Sequence, residues 1–247
     1  MMEEDRPQDR PQDRPRGVAV PGFSPPPRPE GAAMAGRFAR LERLEADAHA
    51  ALLFRAFDGH DAVWDYMPDG PFASAAQFHR WMREATARED ILFYAIEDLD
   101  AGALGGLASY LRMKPGAGSI EVGYIAMAPR MQRRRAATEA MYLMMKWAFE
   151  AGYRRYEWKC DALNRPSRRA AQRLGFSYEG VFRQATIVKG RNRDTAWFSV
   201  IDSEWPALEA AFQFWLSPSN FDAAGRQKER LSDLTRLVRS AGDPTLA

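Results

Sequence analysis

The stretch "IEVGYIAMAPRMQRRRAATEAMYLMMKWAFEAG", residues 120–152, decides the fold. Ile120, Val122 and Tyr124 alternate with their neighbours as on one face of a strand. From Thr138 to Ala151 the spacing becomes helical, with Met141, Met144, Met145 and Ala148 on one side and Tyr142 and Phe149 beside them. Gly152 supplies a C-terminal stop. A helix apolar on so many sides packs against a sheet, and its methionines read as core. Between strand and helix stand Arg133, Arg134 and Arg135. The first N–H groups of a helix lack internal partners and its dipole favours an anion, so this is where a phosphate would be held. Two readings stay open here: an anion cradle, or the basic start of a core helix.

Upstream, "RFARLERL" from Arg37 alternates as a strand. Asp47 reads as the cap of a helix through Ala51, Leu52, Phe54 and Phe57, and Ser74 as the start of another through Phe78, Trp81 and Met82. "VWDYMPDGPF" between them is an aromatic loop. "ILFYAIE" and "LGGLASYLRM" are strands joined by a turn at 100–102. Downstream, "RRYEWKC" is a strand, Asn164 caps a helix with Pro166 in its first turn, and Gly175 ends it. "SYEGVFRQATIVKGRNRDTAWFSVID" supplies two strands joined around 189–193, and "WPALEAAFQFWL" a last helix. This order predicts an α/β (α+β) domain with a mixed, mostly antiparallel central sheet flanked by helices.

Residues 1–35 form a Pro/Arg-rich arm, including "RPQDRPQDRPR", with too little apolar surface to offset ordering entropy; disorder is expected. The folded domain is placed at 36–216. Residues 217–247 read as a polar tail with a short amphipathic run through Leu231, Leu234 and Val238, docking on the domain or on a partner.

The chain has 247 residues with 35 Lys and Arg against 33 Asp and Glu, so net charge gives no argument for a nucleic-acid binder. A single cysteine, Cys160, excludes an internal disulfide and a multi-cysteine zinc site and fits a reducing, cytoplasmic setting. His49, His60 and His79 lack metal-ligand spacing, so no metal is expected. No apolar run reaches the ~18 residues of a membrane helix, and the polar N-terminus is no secretory signal. Nucleotide-binding "GKS" and "GxGxxG" loops are absent.

Three pieces in order raise the chain above a generic fold: the strand–loop–helix of 120–152, "WKCDALNRPS" leading to "RLGFSYEG", and "FRQATIVKGRNRDTAWFSVID". Together, over about residues 37–210, they resemble the GNAT superfamily of acetyl-CoA-dependent N-acetyltransferases, and within it the RimJ/RimL-type branch that acetylates ribosomal-protein N-termini. Asn164 and Ser167, Leu174 to Phe176, Glu179 and Gly180, and Gly190 and Asp194 keep the branch's spacing. The family's pyrophosphate loop reads Q/R-x-x-G-x-G/A. Gln132 holds its first place and Ala137 its last, whereas Arg135 replaces the middle glycine and Arg133 a place that is commonly glycine. Arginine keeps the N–H donor and adds a guanidinium suited to phosphate, at the expense of close approach.

The resemblance implies acetyl-CoA as co-substrate, held by Met127, Gln132, Arg133, Arg134, Arg135, Ala136, Ala137, Thr138, Asn164 and Ser167. Met127 or its neighbour would offer a backbone N–H to the thioester oxygen, and Ser167 a hydroxyl to the thiol, unless that hydroxyl only bonds its own helix start. The branch's glutamate after "QA" is Thr186 here, and another branch's glutamate is Lys159, so neither base carries over. Asp161 and Glu121 are the remaining candidate catalytic carboxylates, Asp161 lying nearer the expected thioester; each has a structural alternative, and a water relay is a third. Cys160 faces opposite Lys159 and Asp161 and packs inside. Trp64, Tyr66, Met67 and Trp197 are candidates for the acceptor wall, with Phe72 and Phe198 beside them, or else fill core; Asp65 and Asp69 attract a cationic amine or cap turns.

The expected reaction moves acetyl directly to a primary amine, of a small molecule or a peptide N-terminus. Two rivals remain: an acyltransferase taking aminoacyl groups from charged tRNA, which the arginine clusters suit, and a non-catalytic CoA-binding protein. No membrane partner is expected, and a homodimer is compatible with the chain.

Overall fold

In the computed structural model, which describes residues 15–246, eight strands form one sheet in the order β1-β2-β3-β4-β5-β6-β8-β7. The strands are β1 Met34–Ala35, β2 Ala39–Arg43, β3 Leu92–Asp98, β4 Ala103–Lys114, β5 Ser119–Met127, β6 Arg155–Asp161, β7 Ser177–Val188 and β8 Arg191–Ile201. The helices are α1 Ala46–Phe57, α2 Ala75–Thr86, α3 Arg135–Glu150, α4 Arg165–Arg173, α5 Trp205–Leu216 and α6 Leu231–Thr235. Neighbouring strands run antiparallel except β5 and β6. That exception follows from chain length: a parallel pair needs a crossover, and α3 supplies it.

Two cores cover the two faces of the sheet. Strand alternation sorts the residues: Phe93, Ala95, Leu107 and Leu111 join α1 and α2 on one side. Tyr94, Ile96, Ala108 and Tyr110 join α3 and α5 on the other. The methionine stripe of α3 is core, Met144 and Met145 being fully buried. Cutting either back to alanine would cost roughly 2–5 kcal/mol.

Three local readings change. Tyr124 leaves the face of Ile120 and Val122 and packs on the α1–α2 side. Its backbone is left-handed, φ 49°, where β5 carries an extra residue against β4, and a bulge of this kind flips the side-chain register. α3 starts three residues before Thr138. Asp47 lies inside the first turn of α1, not at its cap, and its carboxylate meets His79 Nε2 at 2.8 Å. The start of α2 at Ser74 is as read, its side chain accepting from the Gln77 N–H.

Glu139 of α3 carries a structural role that periodicity hides. Its buried carboxylate accepts from the N–H groups of Arg37, Phe38 and Ala39 at 2.9, 2.5 and 2.7 Å, which pins the β1–β2 connection to α3. Three N–H donors satisfy a buried charge that would otherwise be costly. A side chain at Gly36 would collide with that carboxyl group.

Residues 1–14 of the expected arm lie outside the described residues. From there the chain approaches the domain: Tyr153 Oη donates to the Pro27 carbonyl at 3.0 Å, Arg154 stacks over Phe23, and β1 pairs with β2. At the other end α6 docks on the domain through fully buried Leu231. Beyond it Asp243 meets Arg168 of α4 in a two-pronged ion pair, 2.6 and 2.7 Å, with both side chains buried. No helix among the described residues is long and apolar enough to cross a membrane.

Candidate active site

The parallel pairing of β5 with β6 runs only from Ser119↔Arg155 to Val122↔Trp158, although β5 continues to Met127 and β6 to Asp161. Past that point, at the bulge, the strands part. A cleft of about 2520 Å³ opens there, running from the α3 N-terminus past Glu121 and Ser167 to the β7–β8 hairpin. The N–H groups of β5 that turn away from β4 beyond Val122 have lost their strand partner, so they face this cleft.

At one end the loop 128–134 turns the chain into α3. Arg133 takes a left-handed conformation, φ 64°, which explains why glycine suits this place. The N–H groups of Arg133, Arg135, Ala136 and Ala137 have no acceptor among the described residues. Three of these residues, Arg133, Arg135 and Ala137, line the cleft, so unpaired donors at a helix N-terminus meet it, an arrangement suited to a pyrophosphate. The side chains divide differently. Arg135 turns aside, over the Phe38 and Phe221 rings and onto Asp100 at 2.8 Å, and Ala136 is core, so neither side chain is free to meet a ligand. Gln132 donates to the Met127 carbonyl at 3.0 Å and holds the loop. Thr138 accepts from Arg173 of α4 at 3.1 Å.

Midway lie the expected catalytic groups. Asn164 caps α4, accepting from the Ser167 N–H at 3.1 Å. Ser167 Oγ accepts from the Trp158 indole at 3.1 Å, which leaves its own proton for another acceptor. Asp161 lines the cleft, but its Oδ1 accepts from the Leu163 N–H at 2.8 Å and shapes the turn into α4. Cys160 packs inside as expected, and burial pushes its thiol up to about 11.

Glu121 is no solvated strand residue. It is buried, with Oε1 2.5 Å from Arg112 and Oε2 2.8 Å from Lys159 Nζ. Both carboxylate oxygens are thus held by cations, in an ion pair buried at the wall of the cleft. Burial raises the Glu121 carboxyl above the usual glutamate range, against the pull of Lys159 and Arg112. Lys159 also holds Glu157 at 2.7 Å and stacks on Trp197 at 3.7 Å. Its role was not legible as such; alternation of Glu157, Lys159 and Asp161 on one strand face was the available signal.

At the far end Tyr66 and Met67 line the cleft. Trp64 does not: it is buried against Phe57, Phe72, Phe78 and Trp81. Its ring fills core because an aromatic cluster buries far more apolar area than a cleft wall. Trp197 likewise sits behind Lys159, packed on Phe182 with ring centroids 4.5 Å apart. Two bonds bracket the mouth: Tyr66 Oη to the Leu163 carbonyl, 3.5 Å, and Lys189 Nζ to the Trp64 carbonyl, 2.8 Å. No cluster of potential metal ligands occurs among the described residues.

Comparison with curated proteins finds no match. Among solved structures, a GCN5-related N-acetyltransferase from Brucella melitensis is 46% identical and superposes with a TM-score of 0.86, covering 88% of this chain and 100% of its own. A chain described as a probable acetyltransferase (GNAT family) from Chromobacterium violaceum ATCC 12472 is 41% identical over 78% of this chain and 98% of its own, TM-score 0.74. The microcin C7 self-immunity acetyltransferase MccE, solved with acetyl-CoA and AMP, shares the fold at 19% identity and TM-score 0.59, over 67% of this chain and 93% of its own. The profile of the acetyltransferase (GNAT) domain matches residues 39–177. With that match and those two close relatives, the chain belongs to the GNAT acetyltransferase family.

Proposed function

We propose that this protein transfers acetyl from acetyl-CoA directly to a primary amine, of a small molecule or of a peptide N-terminus in the manner of the RimJ/RimL branch. The observation that carries the reading is the set of four unpaired N–H groups at the α3 N-terminus, at the head of a cleft between parted strands. A pyrophosphate satisfies those donors, and the thioester then runs along β5 toward Ser167.

In this reading the chain divides the chemistry as follows. Glu121, whose pKa burial raises against the pull of Lys159 and Arg112, takes the proton of the attacking amine through a water in the cleft. The exposed edge of β5 near Met127 donates to the oxygen that gains charge. Ser167, oriented by the Trp158 indole, gives its hydroxyl proton as a hydrogen bond to the departing sulfur. Asp161 shapes the turn that carries Asn164 and Ser167. Tyr66 and Met67 face the acceptor. The available carboxylate favours catalysis over a purely CoA-binding role.

The test has two arms. Millimolar acetyl-CoA should raise the melting temperature, because a ligand bound only by the native state stabilises it by mass action. Radiolabelled acetyl-CoA, presented with amines and peptides in a screen, should label at least one. Absence of any melting shift would remove the acetyl-CoA reading.

A further inference from the structure

The family profile ends at residue 177, yet the chain continues across the cleft's cofactor end. After α5, residues 220–230 fold back as a tight turn with an isolated bridge between Phe221 and Gln227. Buried Asn220 clamps it: its amide donates to the Trp215 and Glu229 carbonyls at 3.1 and 3.2 Å, and its oxygen accepts from the Glu229 N–H at 2.8 Å. Asp222 accepts from the N–H groups of Ala224 and Arg226, both at 2.9 Å, and the Trp215 indole holds Gln227 at 2.8 Å. The turn is thus built, and it sits beside the α3 N-terminus: Phe221 lies under Arg135 of α3, and Trp215 under Arg173 of α4.

This turn presents Lys228 and Arg230 to the cleft, where Arg133, Arg134 and Arg169 also stand. None of the five has a carboxylate partner among the described residues. Lys228 donates only to the Ser219 carbonyl, and Arg134 only to that of Arg130. Like charges held together in this way repel unless an anion joins them. The helix N-terminus already answers one anionic group. Lys228 and Arg230 add two more cations to the wall of the same cleft.

Resting on the acetyl-CoA reading above, we propose that the turn at 220–230 is a phosphate-reading element, with Lys228 and Arg230 binding the phosphomonoester on the ribose of the cofactor. The chain would then tell coenzyme A from its dephospho form through residues outside the family's profile. A monoester carries up to two charges and leaves three oxygens free, which suits two separate cations better than one.

The test titrates the full chain with acetyl-CoA and with acetyl-dephospho-CoA, which lacks only that phosphate. Wild type should bind acetyl-CoA about tenfold more tightly or better, about 1.4 kcal/mol. The double variant Lys228→Ala/Arg230→Ala, at two exposed positions, should lose most of that preference while its affinity for the dephospho form stays within about twofold of wild type. Equal wild-type affinity for the two compounds overturns the proposal and leaves the acetyl-CoA reading standing. So does an equal loss for both compounds in the variant. Equal affinity accompanied by salt-sensitive binding of tRNA would assign the rim to RNA and equally overturn it. Failure of wild type to bind either compound removes the proposal together with the function it rests on.

Discussion

Lys159 Nζ stands 2.8 Å from Glu121 Oε2, one residue beyond the last step at which β5 and β6 are paired. The cation is therefore placed where the strands begin to part, against the one carboxylate in the cleft whose pKa burial raises. Lys159→Met removes a charge that favours ionised Glu121, so that carboxyl should rise further. The acid limb of the pH–rate profile should move to higher pH, with rates recovering under alkaline conditions. Glu121→Gln should lose roughly 10²–10⁴ in rate near neutrality, with a deficit that shrinks as free amine becomes abundant. Asp161→Asn keeps an oxygen for the Leu163 N–H and should leave the profile in place. A wild-type profile in Glu121→Gln would clear that residue of the base role.

Arg133 holds a left-handed backbone in the loop before α3, which costs a non-glycine residue about 1–2 kcal/mol. Arg133→Gly should therefore melt no lower than wild type, and Arg133→Val, with a branched Cβ at positive φ, clearly lower. Acetyl-CoA affinity of the glycine variant should fall severalfold through the lost guanidinium, by less than a removed N–H donor would cost. Calorimetric titration beside thermal melts separates the two effects.

The Arg168–Asp243 pair joins α4 to the chain's far end, with side-chain exposures of 7% and 0%. Removing one partner leaves a buried charge unpaired. Asp243→Ala should cost about 3–5 kcal/mol in denaturant unfolding. Because α4 carries Asn164 and Ser167, the same variant should weaken acetyl-CoA binding even where it remains folded.

Glu179 is held below the usual glutamate range, first by the Arg155 guanidinium at 2.7 and 2.5 Å and then by the Ser199 hydroxyl. A carboxyl whose folded pKa is depressed stabilises the fold above its unfolded value and loses that contribution as pH falls through the folded one. Arg155→Met should thus be most destabilising at neutral pH, with the gap to wild type narrowing below the ordinary carboxylate pKa. Denaturant midpoints measured across the acid range would show that convergence or refute it.

The parts of the fold that sequence made legible are those written in periodicity. Alternation in β3 and β4 and the methionine stripe of α3 each put apolar residues on one face, and burial leaves them no other arrangement. Asn164 and Ser74 were legible as caps because a side-chain oxygen at a helix start has one common use. What stayed hidden depends on distance along the chain. Glu139 looks like an ordinary helix residue until β1 and β2 arrive about a hundred positions away to use its oxygens. Trp64 and Trp197 read equally as wall or core, and only the packing of α1 and α2, and of Phe182, decides. The bulge at Tyr124 likewise comes from mismatch with β4, which no local pattern encodes.

The two bonds across the cleft mouth, Tyr66 to Leu163 and Lys189 to Trp64, tie the loop before α2 and the β7–β8 hairpin to the turn that enters α4. In the proposed reading, the loop before α2 and the hairpin face the acceptor while α3 holds the donor. Drift in the loop before α2 or in the β7–β8 hairpin alters which amine fits without touching α3 or the parting of β5 and β6. A lineage built on this plan can reshape the cleft mouth by editing loops while α3 and the parting of β5 and β6 stay as they are.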